Sequence, residues 1–97
     1  MELTSKQRAK LRGMANTLET ILYIGKDGIT EHTVKEAYDI LEARELMKCS
    51  LQNGCALSAR EACQLLCEKT HAAPVQCIGK RFVIYRASRE NKRIVLD

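Results

Sequence analysis

The apolar positions of this chain change period several times, and each change marks an element. From Thr4 to Leu18 they follow helical spacing, with Leu11, Met14, Ala15 and Leu18 at i, i+3, i+4 and i+7 on one face. Thr4 and Gln7 form the two halves of a capping box, so a first helix is predicted over 4–18. Thr20-Ile21-Leu22-Tyr23-Ile24 is then a continuous apolar run rich in β-formers and stopped by Gly25. Continuity rather than alternation predicts a first strand covered on both faces. Helical spacing returns at Val34, Ala37, Tyr38 and Leu41 behind Thr30 as N-cap, with Ile29 placed to staple onto Val34 and the end near Arg44.

Leu46 to Leu51 is the second strand, and Asn53-Gly54 turns the chain into a third helix. That helix opens with the capping box Ser58-Ala59-Arg60-Glu61, carries Ala62, Leu65 and Leu66 as its apolar stripe, and ends near Thr70. Val75–Ile78 and Arg81–Tyr85 are short strands separated by Gly79-Lys80, the spacing of a tight hairpin. The order α-β-α-β-α-β-β predicts an α/β two-layer sandwich with a four-stranded mixed sheet. Strands joined through helices pair in parallel by right-handed crossovers, and the hairpin adds one antiparallel strand. The 97 residues make one domain, 1–97, whose last segment, 88–97, reads as a basic and partly flexible tail.

Composition narrows the function classes. Hydrophobic residues make up 45% and aromatics 4% of the chain, without tryptophan, so a small aliphatic core is expected. No apolar run approaches the roughly 18–20 residues of a membrane span, and Met1-Glu2-Leu3-Thr4-Ser5-Lys6 lacks the apolar stretch of a secretion signal. A monomeric, cytoplasmic protein without membrane contact is the expectation. The net charge of +4 is unevenly spread: residues 1–30 carry +2, residues 31–70 carry −2 and residues 71–97 carry +4. Two basic ends suit a polyanionic partner if they meet in space.

Cysteines, histidines and carboxylates are the residues that could carry chemistry, and plain packing accounts for most of them. Cys49, Cys55, Cys63, Cys67 and Cys77 are odd in number and contain no C-x-x-C, so a disulfide framework is not expected and buried thiols are the preferred reading. A cysteine-rich metal or redox adaptor acting through protein contacts, built from Cys63, Cys67 and one or two of Cys49, Cys55 and Cys77, is the alternative, and a metal site of these thiolates with His71 is conceivable because zinc needs converging soft ligands. His32 and His71 lie in no nucleophile motif and read as surface residues, so neither an enzyme nor a cofactor is expected. Glu36, Asp39, Glu42 and Glu45 recur at i+3 and read as a solvated helix face, with Lys35 and Arg44 interleaved. Tyr23, Phe82 and Tyr85 invite a base-stacking reading, against which core packing is preferred.

In a sheet of this kind the ligand-prone place lies beyond the carboxyl ends of the parallel strands, and the first such loop is Gly25-Lys26-Asp27-Gly28. Two glycines around two polar residues let a backbone approach closely, the following helix N-terminus attracts phosphate, and Lys26 adds a mobile charge. A G-x-x-G clamp on a nucleotide backbone works on these grounds. Lys80, Arg81, Arg86, Arg89, Lys92 and Arg93 crowd the last strands and tail and are further contact candidates.

Four spaced segments then carry a resemblance: Leu3–Arg8, Ile24–Thr30, Leu41–Leu46 and Ile78–Arg86. Together they resemble the YhbY-type CRM domain, named for chloroplast RNA splicing and ribosome maturation, in the same order over residues 2–88. The resemblance implies an RNA-binding module with a fold similar to the C-terminal domain of translation initiation factor three. For a stand-alone chain it implies a bacterial protein that binds ribosomal RNA in precursors of the large ribosomal subunit as an assembly factor. It places the RNA contacts on the loop Gly25, Lys26, Asp27 and Gly28, on the first-helix residues Lys6, Arg8, Lys10 and Arg12, and on Lys80, Arg81 and Arg86. Two departures stand out. Leu18-Glu19-Thr20 enters the first strand without the family's common proline, and five cysteines are unusual.

Overall fold

All three helices open at a capping box. The computed structural model describes residues 2–96. In α1 (Ser5–Ala15) the Thr4 hydroxyl accepts from the Gln7 amide while the Gln7 side chain accepts from the Thr4 amide, at 3.1 and 3.0 Å. Thr30 and Thr33 do the same for α2 (Glu31–Arg44), and Ser58 and Glu61 for α3 (Ala59–Thr70). Each box satisfies two groups that a helix start would otherwise leave unpaired, which is why these starts are legible locally. The end of α1 is less so. Helical spacing ran to Leu18, but the helix stops at Ala15, where the Asn16 amide bonds back to Gly13 and the Thr17 hydroxyl to Met14. Short polar side chains that bond the backbone locally compete with helix continuation.

The strands β1 (Thr20–Ile24), β2 (Leu46–Leu51), β3 (Ala73–Ile78) and β4 (Arg81–Tyr85) form one mixed sheet in the order β1-β2-β4-β3. β1 and β2 pair in parallel; β4 pairs antiparallel with β2 on one side and with β3 on the other. The α-β-α-β-α-β-β order and the four-stranded mixed sheet are as expected. The neighbours differ in one respect. β3 runs parallel to β2 but does not touch it, because the hairpin folds β4 back into the gap between them. Gly79, with φ 59°, supplies the positive φ this tight turn needs.

Helices cover both faces of the sheet. Leu22, Ile24, Met47, Cys49, Leu51, Phe82 and Ile84 pack under α2 and α3 against Ala37, Leu41, Ala62 and Leu66. Leu46, Ala73, Val75, Val83 and Tyr85 point the other way and meet Leu3, Leu11 and Ala15, with Leu18, Ile94 and Leu96 at the margin. A strictly two-layer sandwich would leave this second face open; here α1 and the C-terminal segment cover much of it. The cause is the continuous apolar run of β4, which presents burial-seeking residues to both sides. β1 behaves otherwise. As an edge strand it buries Leu22 and Ile24 but leaves Tyr23 exposed, so the expectation of cover on both faces fails there.

The C-terminal segment bonds back to the domain through two carboxylates. Glu45 is completely buried, and its carboxylate accepts from the amides of Ser88, Arg93 and Ile94 at 2.6–2.7 Å. Glu42 accepts from Arg86 at 2.7 Å, from the Ser88 hydroxyl at 2.9 Å and from the Arg89 amide at 3.2 Å. The i+3 row of acids therefore splits. Glu36 and Asp39 make exposed pairs with His32 and Lys35, whereas Glu45 lies past the helix end at φ 67° and turns inward. Helix spacing cannot report a residue that has left the helix.

Candidate nucleic-acid interface

Because β1, β2 and β3 run in one direction, their carboxyl ends gather at one end of the sheet. Three connections meet there: Gly25–Gly28 after β1, the loop from Gln52 after β2, and the Gly79-Lys80 hairpin after β3. They are tied to each other. The Gln52 amide donates to the Ile24 carbonyl at 2.8 Å, the Leu51 amide donates to the Lys80 carbonyl at 2.8 Å, and Lys80 Nζ donates to Asn53 Oδ1 at 2.9 Å. Lys26, Asp27, Lys80 and Arg81 are all exposed at this end.

The G-x-x-G segment is a closed turn, with the Gly28 amide donating to the Gly25 carbonyl at 3.0 Å. Gly28 has φ 68°, a left-handed conformation that a β-carbon disfavours, and a β-carbon there would sit 3.4 Å from Leu57. At Gly25 a β-carbon would come within 3.0 Å of the Gln52 side chain. The glycines thus keep the turn low against the Gln52–Leu57 loop, with Lys26 and Asp27 projecting from its crest. The start of α2 contributes less than its dipole alone suggests. Thr30 already takes the Thr33 amide, and Glu31 puts a negative charge in the first turn. Attraction for an anion at this end therefore rests mainly on Lys26, Lys80 and Arg81 together with close backbone approach.

The expected basic residues fall into three groups. Lys26, Lys80 and Arg81 converge with Gly25, Asp27 and Gly28. Lys6, Arg8, Lys10 and Arg12 lie on α1, in the layer across the sheet. Arg8 Nε donates to the Pro74 carbonyl at 3.3 Å, near the start of β3, and Lys10 Nζ to the Val95 carbonyl at 2.6 Å. From Pro74 to Gly79 is five residues of extended chain, roughly 16 Å, so the anchor of Arg8 stands well back from the hairpin.

Arg86, expected among the contacts, is an interior residue. Its side chain is 9% exposed, pairs with Glu42 at 2.7 Å and stacks over the Tyr38 ring at 4.2 Å. Its place at the end of β4, under the Glu42 carboxylate, removes it from any surface a nucleic acid could reach. Asn53, a turn residue by its Asn-Gly sequence, is also the anchor of Lys80, a role that depends on two loops 27 residues apart meeting.

The thiols do not assemble a site. Among the described residues no group of three or more histidines, cysteines or carboxylates is placed to hold a metal ion. Cys49, Cys63 and Cys67 are buried, and all five cysteines are free. Burial pushes the Cys49 thiol up to about 12, and the hydrogen bond with Cys63, together with burial, holds Cys67 far above the usual thiol range. Protonated, buried thiols of this kind pack as small apolar groups.

Fold and site together define a small α/β module that presents a glycine-flanked basic turn at the carboxyl ends of its strands. The chain belongs to the CRS1/YhbY (CRM) domain family, whose profile matches residues 3–86. It is 37% identical over 94 residues to YqeI of Bacillus subtilis, named a probable RNA-binding protein, covering 97% of this chain and 98% of that one. It is 32% identical over 90 residues to a Haemophilus influenzae protein named RNA-binding protein, covering 93% and 91%. The solution structure of a Staphylococcus aureus protein superposes with a TM-score of 0.82 at 42% identity, over 99% of this chain and 100% of that one.

Proposed function

We propose that this protein binds RNA through the end of the sheet formed by Gly25–Gly28, Lys80 and Arg81, with no catalytic step of its own. The observation that carries the reading is the hydrogen-bonded convergence of the three connections, which sets Lys26, Lys80 and Arg81 around a turn low enough for a phosphate backbone to approach. The RNA-binding names of the relatives point the same way. The α1 cations offer a second, more distant set of phosphate contacts.

The fuller proposal is an assembly factor that binds ribosomal RNA in precursors of the large subunit, acting as a cytoplasmic monomer. Five free thiols fit a reducing compartment. Such a protein should co-sediment at low salt with particles lighter than the mature large subunit and leave them as salt rises. Absence from every particle, for folded protein that still binds RNA, removes the assembly role. With about five phosphates neutralised, log affinity should fall against log salt with a slope of roughly −3 to −4. A slope near zero removes RNA binding by this surface.

A further inference from the structure

Next to the turn, the sheet face that α1 and the tail occupy elsewhere is open. A row of paired residues crosses all four strands there: Tyr23 of β1 opposite Ser50 of β2, Ser50 opposite Arg81 of β4, and Arg81 opposite Ile78 of β3. Their sequence neighbours Leu22, Ile24, Cys49, Leu51 and Phe82 point into the core under α2 and α3, so the row faces the other side. Tyr23 is 59% exposed and Ile78 65%, and Arg81 between them is exposed as well. Among the described residues only Met14 and Val95 join Tyr23 and Ile78 as exposed large hydrophobics. Two of these four therefore stand at opposite ends of one row.

Charge and continuity say what this face fits. The row carries no carboxylate, and neither does the adjoining set Thr20, Lys48, Val83 and Gln76. Tyr23 lies two residues before Gly25, Ile78 directly before Gly79, and Arg81 directly after Lys80, so the row begins where the turn ends. Three interstrand steps of roughly 4.8 Å make it about 14 Å long. Sheets of that width in RNA-recognition modules stack about two or three unpaired bases on aromatic side chains.

We propose that this open row is a base-stacking platform for single-stranded RNA: Tyr23 stacks an unpaired base, Arg81 meets the neighbouring phosphate or base face, and Ile78 packs the far edge. The proposal rests on the RNA-binding reading above and adds to it the form of RNA bound and the side chain that meets the bases. A backbone held at Gly25–Gly28 would place its bases over the row.

The test uses the full chain and its Tyr23→Ala and Tyr23→Phe variants, titrated with a fluorescent single-stranded oligouridylate and with the same backbone carrying abasic sites. Tyr23→Ala should weaken oligouridylate binding about 5- to 150-fold while Tyr23→Phe stays near wild type. The salt slope should be unchanged in both, since no charge is removed. On the abasic strand, wild type and Tyr23→Ala should bind alike. Equal binding of oligouridylate by wild type and Tyr23→Ala overturns the platform, as does an equal loss on the abasic strand. A Tyr23→Trp variant guards against a folding artefact: its fluorescence must be quenched by oligouridylate, and an unquenched signal on a bound complex overturns the proposal too. If folded wild-type protein binds no RNA, the RNA-binding reading itself falls. If Gly28→Asp abolishes binding and Tyr23→Ala is silent, the platform alone falls.

Discussion

The two ends of strand β4 use the same residue types for opposite purposes. At its start, the side chains of Lys80 and Arg81 stand in solvent beside the glycine turn, with Lys80 Nζ bonded to Asn53. At its end, Arg86 is buried between Glu42 and Tyr38, and Glu45 beside it is buried under three amides of the tail. A cation with one exposed partner keeps its charge for a ligand, whereas a cation and carboxylates enclosed together spend theirs holding the chain. Position relative to the two hydrophobic layers decides which, because burial without a partner is costly and exposure is not.

The contrast can be broken from either side. Glu45→Ala should have the largest effect, on the order of 3 kcal/mol of lost stability, because the amides of Ser88, Arg93 and Ile94 lose their acceptor. Urea unfolding measures this, and a loss below about 1 kcal/mol would show that the tail contributes little to stability. Gly28→Asp should act on the other end. It should weaken RNA binding at least about 30-fold, or roughly 2 kcal/mol, while its left-handed backbone costs the fold about 1 kcal/mol. Unchanged affinity in the folded variant would move the RNA surface elsewhere.

Arg86→Gln and Arg81→Gln separate the two ends when measured as a pair. Arg86→Gln should cost stability, about 1–2 kcal/mol from the lost stack and ion pair, with RNA affinity unmoved. Arg81→Gln should reverse that pattern, leaving the unfolding midpoint in place and flattening the salt slope by about one unit. An identical profile for the two arginines would erase the distinction.

Acid should act chiefly at the tail end, where two carboxylates hold the chain, with a smaller part from Glu61 in the α3 capping box, which Ser58 holds below the usual carboxylate range. Burial pushes the Glu45 carboxyl up, but the Ser88, Ile94 and Arg93 amides outweigh it and hold it below the usual range. The Arg89 amide and the Ser88 hydroxyl hold Glu42 down as well. With both carboxyls more acidic in the native chain than in the unfolded one, the unfolded state binds more protons as pH falls. Their stabilisation is therefore complete above the unfolded value and lost as pH drops below about 4.5. Urea midpoints against pH should show this fall in wild type and a shallower one in Glu45→Ala. The smallest effect belongs to Lys26→Ala, with RNA binding weakened about threefold and a salt slope flatter by less than about one unit.

Much of the fold is legible along the chain. β1, β2 and β4 fall where the apolar runs place them, and α3 where its capping box begins it, because a cap or a strand run is satisfied within a few residues. The G-x-x-G turn was legible for the same reason: its glycines and its closing hydrogen bond are local. Misreadings occur where partners are distant. Arg86 reads as a surface cation in the sequence because its partner Glu42 is 44 residues away. Glu45 falls by spacing on a solvated face, and the amides that bury it come from 43 to 49 residues on. Residue type places Tyr23 with Phe82 and Tyr85 in the core, yet its position on an edge strand leaves it bare while the other two are buried.

By itself the sequence determined the number and order of the elements, the caps that start the helices, the hairpin and the turn that presents Lys26, since each depends on bonds made within a few residues. Tertiary structure decided that β4 inserts between β2 and β3, that α1 occupies the second face of the sheet, and which cations remain in solvent. Those outcomes depend on which apolar faces meet and on which buried charges find partners, and such pairings join residues that stand far apart along the chain.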